Sequence, residues 1–137
     1  TILRENPGTA VVVHAHPAHA TAVAMQRRTI PACHYMVAAF GGTDVPLVDY
    51  SLFGSPALAN NSAKALKNRS ACLLANHGAI VTGDTLERAL WRMGELENLA
   101  RVYLLSLASG APVLLSDAEM QVVIEAFANY GPRQGAK

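Results

Sequence analysis

Val11-Val12-Val13-His14-Ala15-His16-Pro17 sets three β-branched residues ahead of two histidines and closes on a proline. β-Branched residues favour the extended chain and proline cannot continue a ladder, so the stretch reads as a short strand ending at Pro17. Side chains at i and i+2 of a strand share a face, so His14 and His16 project together, about 6 to 7 Å apart. A second stretch has the same form: Cys72-Leu73-Leu74-Ala75-Asn76-His77-Gly78 is an apolar run that ends in an imidazole. Both runs read as buried strands, and their three imidazoles then meet at one edge of a sheet. Three neutral nitrogen donors suit an open divalent-metal site, with Zn²⁺ the first expectation and iron, cobalt or manganese compatible.

Composition bounds what such a site serves. The chain has 137 residues, 51% of them hydrophobic and 15% charged, with a net charge of +1. That is enough apolar side chain for one ordinary core and one domain. No basic face for nucleic acid and no acidic tail stands out. No segment approaches the roughly 18 uninterrupted apolar residues of a membrane span, and the first residues show no basic-then-apolar leader. The expectation is a soluble, cytoplasmic protein with neither nucleic-acid nor membrane partner. Cys33 and Cys72 stand at unrelated places and read as buried thiols of a reducing compartment. Thr1-Ile2-Leu3-Arg4-Glu5-Asn6 has no initiating methionine and leads almost at once into the first strand, so a missing N-terminal part is expected.

The punctuation lays out the remaining elements. Ala18 to Arg27 is alanine-rich and follows Pro17, a helix start beside the histidines. His34 to Phe40 is a short apolar segment between breakers, and Val45 to Val48 reads as a strand. Ser55-Pro56 is an N-cap with proline at N1, opening a helix to about Lys67. Ala71 to Ala75 is a strand, and Ala79 to Thr82 returns as its antiparallel hairpin partner. Asp84-Thr85-Leu86-Glu87 has a capping-box pattern, and Leu86, Ala89, Leu90, Met93, Leu96, Ala100, Tyr103, Leu104 and Leu107 recur at helical spacing, the longest helix of the chain. Ser116-Asp117-Ala118-Glu119 caps a last helix with Gly131 as its stop. His19 and His34 read as ordinary hydrogen-bonded histidines, with orientation of a ligand imidazole as their alternative role. Arg27-Arg28 and Lys64, Lys67 and Arg69 read as solvated faces and helix ends.

The succession VVVHAHPAHATAVA, IPACHYMVAAFGG, LFGS and ALKNRSACLLANHGAIVTGDTLERALWRMGELE resembles the class II aldolase and adducin-head family, closest to its bacterial L-fuculose-1-phosphate aldolase branch. The resemblance implies a three-layer α/β/α fold, in which helices flank a central, predominantly antiparallel sheet. It also implies a single class II aldolase/adducin-type domain over residues 1–137 that lacks its N-terminal part. In that family three histidines hold Zn²⁺, and His14, His16 and His77 stand at those positions. The metal-stabilised ene-diolate of a retro-aldol cleavage follows, with L-fuculose 1-phosphate or a similar ketose 1-phosphate giving dihydroxyacetone phosphate and L-lactaldehyde.

Further roles come with the resemblance. Tyr35 corresponds to a catalytic tyrosine that reaches in from a neighbouring subunit, Phe53 to an aromatic on the aldehyde side, and Tyr130 to a tyrosine of the C-terminal tail. The family's proton-transferring glutamate and its phosphate-holding loops precede the HxH strand, and Glu5 lies outside that motif, so this chain by itself is expected to bind metal with little or no cleavage. The implied assembly is a homotetramer with a sugar phosphate bound at subunit interfaces. Alternatives on the same fold are an L-ribulose-5-phosphate 4-epimerase or a sugar-phosphate dehydratase or decarboxylase. A catalytically inactive, adducin-like interaction module is the alternative of another class, and the retained histidines argue against it.

Overall fold

Among the described residues, four short strands carry the sheet: β1 (Val11–Ala15), β2 (Leu47–Val48), β3 (Ala71–Leu74) and β4 (Gly78–Gly83). The computed structural model describes residues 1–127. The strand order is β1-β4-β3-β2, antiparallel between β1 and β4 and between β4 and β3, and parallel between β3 and β2. The sheet is therefore mixed but mostly antiparallel, as the hairpin around His77 requires. β3 and β4 are buried throughout, whereas β1 is half-buried because it forms one edge of the sheet among the described residues.

Among the described residues five helices flank it: α1 (Ile2–Glu5), α2 (Ala18–Met25), α3 (Pro56–Ala65), α4 (Leu86–Ser109) and α5 (Asp117–Phe127), with a 3₁₀ helix over Tyr35–Phe40. The two-residue alternation of each strand sorts its side chains into two layers. Val13, Leu47, Ala71, Leu73, Ala79 and Val81 face a large core closed by α2, α4, α5 and the 3₁₀ helix. Val12, Val48, Cys72, Leu74 and Ile80 face a thinner core closed by Leu58 and Leu66 of the α3 region and Ile2 of α1. His14 has the parity of Val12, so the imidazoles emerge on the thinner side, where few side chains cover them.

Several boundaries differ from those read in the sequence, each for a local reason. The strand expected over Val45 to Val48 narrows to two residues because Pro46 has no N–H; Val45 instead makes an isolated antiparallel bridge with Ile30. α2 stops at Met25 and α3 at Ala65, each followed by a left-handed residue, Arg27 (φ 52°) and Asn68 (φ 62°), that turns the chain out of the helix. The cap of α4 is Thr85, whose hydroxyl accepts from the Arg88 N–H at 3.1 Å, while Asp84 pairs with the Arg88 side chain. The Ser116 box forms as expected: its hydroxyl accepts from the Glu119 N–H, and the Glu119 carboxylate accepts from the Ser116 N–H at 2.8 Å. α1 carries no sequence signal that marked it in advance. Gly131 lies outside the described residues.

Candidate functional site

The site starts from the end of β1. His14 pairs with Ile80 across the ladder, and His16 follows one residue beyond the strand. His77 arrives from the β3–β4 turn, where its N–H bonds the Leu74 carbonyl at 3.0 Å and Asn76 takes a left-handed φ of 54°. Asparagine tolerates that conformation better than most residues, which lets the hairpin turn tightly and aim His77 back at β1. Gly78 completes the corner. A Cβ there would lie 2.5 Å from the Ala15 carbonyl oxygen and 2.6 Å from Cδ2 of His16, so the close approach of the two segments needs a residue without a side chain.

The three imidazoles converge. Their ring centroids stand 4.9 Å apart for His14 and His16, 4.8 Å for His14 and His77, and 5.1 Å for His16 and His77. One ring nitrogen from each lies within 4.8 Å of the others. Nδ1 of His14 donates to the Ala79 carbonyl at 2.9 Å; because a carbonyl only accepts, the proton of the neutral ring is on Nδ1 and Nε2 keeps its lone pair. Burial lowers the pKa of His77, and the charges His14 and His16 would carry lower it further, so its ring favours the neutral, donating form. This donor set fits a divalent cation: three nitrogens on one side, the other side open to substrate.

That open side is a cavity of about 640 Å³, lined by the three histidines, Tyr50, Phe53, Leu58, Leu74, Asn76 and Ile80 among others. Among the described residues, no Lys, Arg, Asp or Glu borders it. Phe53, 76% exposed, stands at its mouth as a residue of the same chain as the histidines. Tyr35 stays away from the cavity. It opens the 3₁₀ helix, half-exposed, stacked on His34 with centroids 4.7 Å apart and 6.2 Å from Phe127. His34 caps that helix by accepting from the Met36 N–H at 3.1 Å. Tyr130 lies outside the described residues. Cys33 and Cys72 are free thiols, Cys72 buried and pushed up to about 12 by that burial.

Sequence reading missed Tyr50, Leu58 and Asn76 as cavity walls, and it missed Glu97. Tyr50 and Leu58 carry no pattern apart from their neighbourhood in the chain; Asn76 sits in a quoted motif but only its left-handed φ shows why.

The Class II Aldolase and Adducin N-terminal domain model matches residues 1–104. The chain belongs to this family. The L-fuculose phosphate aldolase of Escherichia coli K12 is 48% identical over 131 residues, 95% of this chain and 61% of that protein. The 5-methylthioribulose-1-phosphate/5-deoxyribulose-1-phosphate aldolase of Rhodospirillum rubrum is 43% identical over 130 residues, 95% of this chain and 59% of that protein. A solved L-fuculose 1-phosphate aldolase superposes with a TM-score of 0.82 at 41% identity, over 85% of this chain and 55% of that one. The chain thus spans about three-fifths of the length of the relatives it matches. Class II aldolases are metal-dependent lyases, which agrees with a cluster of imidazoles able to hold an ion.

Proposed function

We propose that this chain carries the metal centre of a zinc-dependent, cytoplasmic class II aldolase that cleaves L-fuculose 1-phosphate, or a similar ketose 1-phosphate, to dihydroxyacetone phosphate and L-lactaldehyde. The observation that carries the reading is the convergence of His14, His16 and His77 at the mouth of one cavity. A bound divalent ion supplies Lewis-acid polarisation of the substrate's carbonyl and hydroxyl oxygens. His14, His16 and His77 hold it as neutral donors, His14 through Nε2 because its Nδ1 proton is engaged by Ala79.

Tyr50, Phe53, Leu58 and Ile80 form the apolar wall of the cavity, which accommodates the deoxy end of the aldehyde half and excludes water from it. The relatives' names point the same way, since fuculose and 5-deoxyribulose are both deoxy sugars. Retro-aldol cleavage takes a proton from a hydroxyl as the carbon–carbon bond breaks and returns one to the carbon left behind. No titratable side chain other than the three histidines and Tyr50 borders the cavity among the described residues, so the proton-moving groups come from elsewhere. We assign one of them to Tyr35 of a neighbouring copy in a homotetramer: its phenol is half-exposed, stacked on His34, and not among the residues that line its own chain's cavity. Tyr130 and the segment that holds the phosphate complete the site in this reading.

Metal content by elemental analysis and cleavage of L-fuculose 1-phosphate, measured on this chain and on a version lengthened by its flanking coding sequence, test the proposal together. Metal in both with cleavage in the longer protein supports it. Metal with cleavage in neither moves the reading to a sister epimerase or dehydratase, and no metal at all removes the three-histidine centre. The shared site has its own check in the longer protein. Mixing inactive His77→Ala and Tyr35→Phe proteins restores part of the activity if the two residues meet across subunits, and restores none if each acts within its own chain.

A further inference from the structure

Glu97 lies on α4, far from the cavity in sequence, and one carboxylate oxygen sits 2.7 Å from Nδ1 of His19. The carboxylate also accepts the backbone N–H groups of His19 and Ala20, each at 3.0 Å. These amides belong to the first turn of α2, whose own N-cap position is Pro17 and supplies no side-chain cap. Helix starts leave their first N–H groups without partners, so a carboxylate from another element takes the place of the missing cap and complements the helix dipole. α2 begins one residue after His16-Pro17, so whatever holds its first turn also holds the direction in which the chain leaves His16.

The other end of α2 is tied to the third histidine. The Asn76 N–H donates to the Ala24 carbonyl at 3.2 Å, and Nε of Arg27, just past the helix, donates to the Asn76 side-chain oxygen at 3.0 Å. Asn76 directly precedes His77. β1, α2, the Asn76-His77 turn and β4 therefore close a ring, with the Ala15–Ala79 pairing as its last link.

We propose that α2 is a strut setting the His16 and His77 imidazoles relative to one another, anchored at its start by the Glu97 carboxylate and at its end by Asn76. Glu97 and Asn76 are positioning residues: neither needs to touch the metal or substrate. The functional consequence rests on the three-histidine reading above. Orienting partners of this kind typically matter by roughly 10–100-fold in metal affinity.

The test uses Glu97→Gln, which keeps the shape but turns one oxygen into a donor facing N–H groups, and Asn76→Gly, which keeps the left-handed turn but removes the acceptor for Arg27. Met120→Ala, a buried α5 position on the thicker core, serves as a control for lost stability alone. Two readouts are taken on folded protein: Co²⁺ affinity with its visible absorption, and the imidazole nitrogen signals of metal-free protein. The expected result is Co²⁺ binding weakened roughly 10–100-fold in Glu97→Gln and Asn76→Gly with altered absorption, displaced His16 and His77 ring signals, and neither change in Met120→Ala. Unchanged affinity and ring signals, or losses that merely follow stability in all three variants, overturn the strut. If the unaltered protein binds no Co²⁺, the metal reading falls; the metal-free ring signals still decide the strut, supporting it if they move in the two variants and overturning it if they stay.

Discussion

At the scale of single residues, three imidazoles with centroids about 5 Å apart are close enough to share one ion, and His77 is kept neutral by burial and then by the charges His14 and His16 would carry. Removing one leaves two donors, too few for a tetrahedral centre with an open position. His77→Ala is therefore expected to weaken Zn²⁺ binding by more than the roughly 10–100-fold that losing an orienting partner costs, as measured by calorimetric titration. Glu97 gives a pH-dependent outcome. Burial alone would raise its carboxyl, but the N–H groups of His19 and Ala20 together with the His19 ring outweigh it and hold the group below its ordinary 4.5. A depressed folded value means stability that is present above the unfolded pKa and lost as pH falls through the folded one. Thermal melts are expected to show wild type ahead of Glu97→Gln above about pH 4.5, with the gap closing in stronger acid. A gap that stays constant with pH would contradict this. The histidines were legible because their motif is local, whereas Glu97 was not: it meets His19 from 78 positions away, and no spacing rule links them.

Between elements, the decisive contact is the corner where Gly78 meets the end of β1. Gly78→Ala puts a methyl group against the Ala15 carbonyl and the His16 ring, and relief requires the two strands to separate. The expected cost is about 1–3 kcal/mol of unfolding free energy, as for other overpacked sites. A structural change at this corner also displaces His16, so weaker metal binding is expected alongside the lower denaturation midpoint. The hairpin between β3 and β4 and the helix starts at Ser55, Thr85 and Ser116 were readable because turn and cap chemistry is short-range. The pairing of β1 with β4 rather than with β3 was not, because it joins strands more than 60 residues apart and no local pattern links them.

For the whole molecule, a ligand that binds the folded chain and not the unfolded one stabilises it by mass action. Adding Zn²⁺ at about a hundred times its dissociation constant is expected to raise the unfolding free energy by about 2.7 kcal/mol in the wild type and to leave His77→Ala nearly unmoved, with differential scanning calorimetry as the check. Exposed aromatics, Tyr35, Tyr50 and Phe53, lie on the same molecule as a cavity with no charged wall among the described residues, which suits burial against further protein. The amino-acid sequence by itself determined the strand that bears His14 and His16, the hairpin that bears His77, the starts of α2 to α5 and the family, because strand alternation, turn residues and caps act over a few positions. Only the tertiary structure decided that the three rings face the thinner side of the sheet, that Tyr50 and Leu58 wall the cavity, and that Glu97 and Asn76 hold α2. Those relations join residues far apart in the chain, and their cause is the packing of whole elements, which no local pattern encodes.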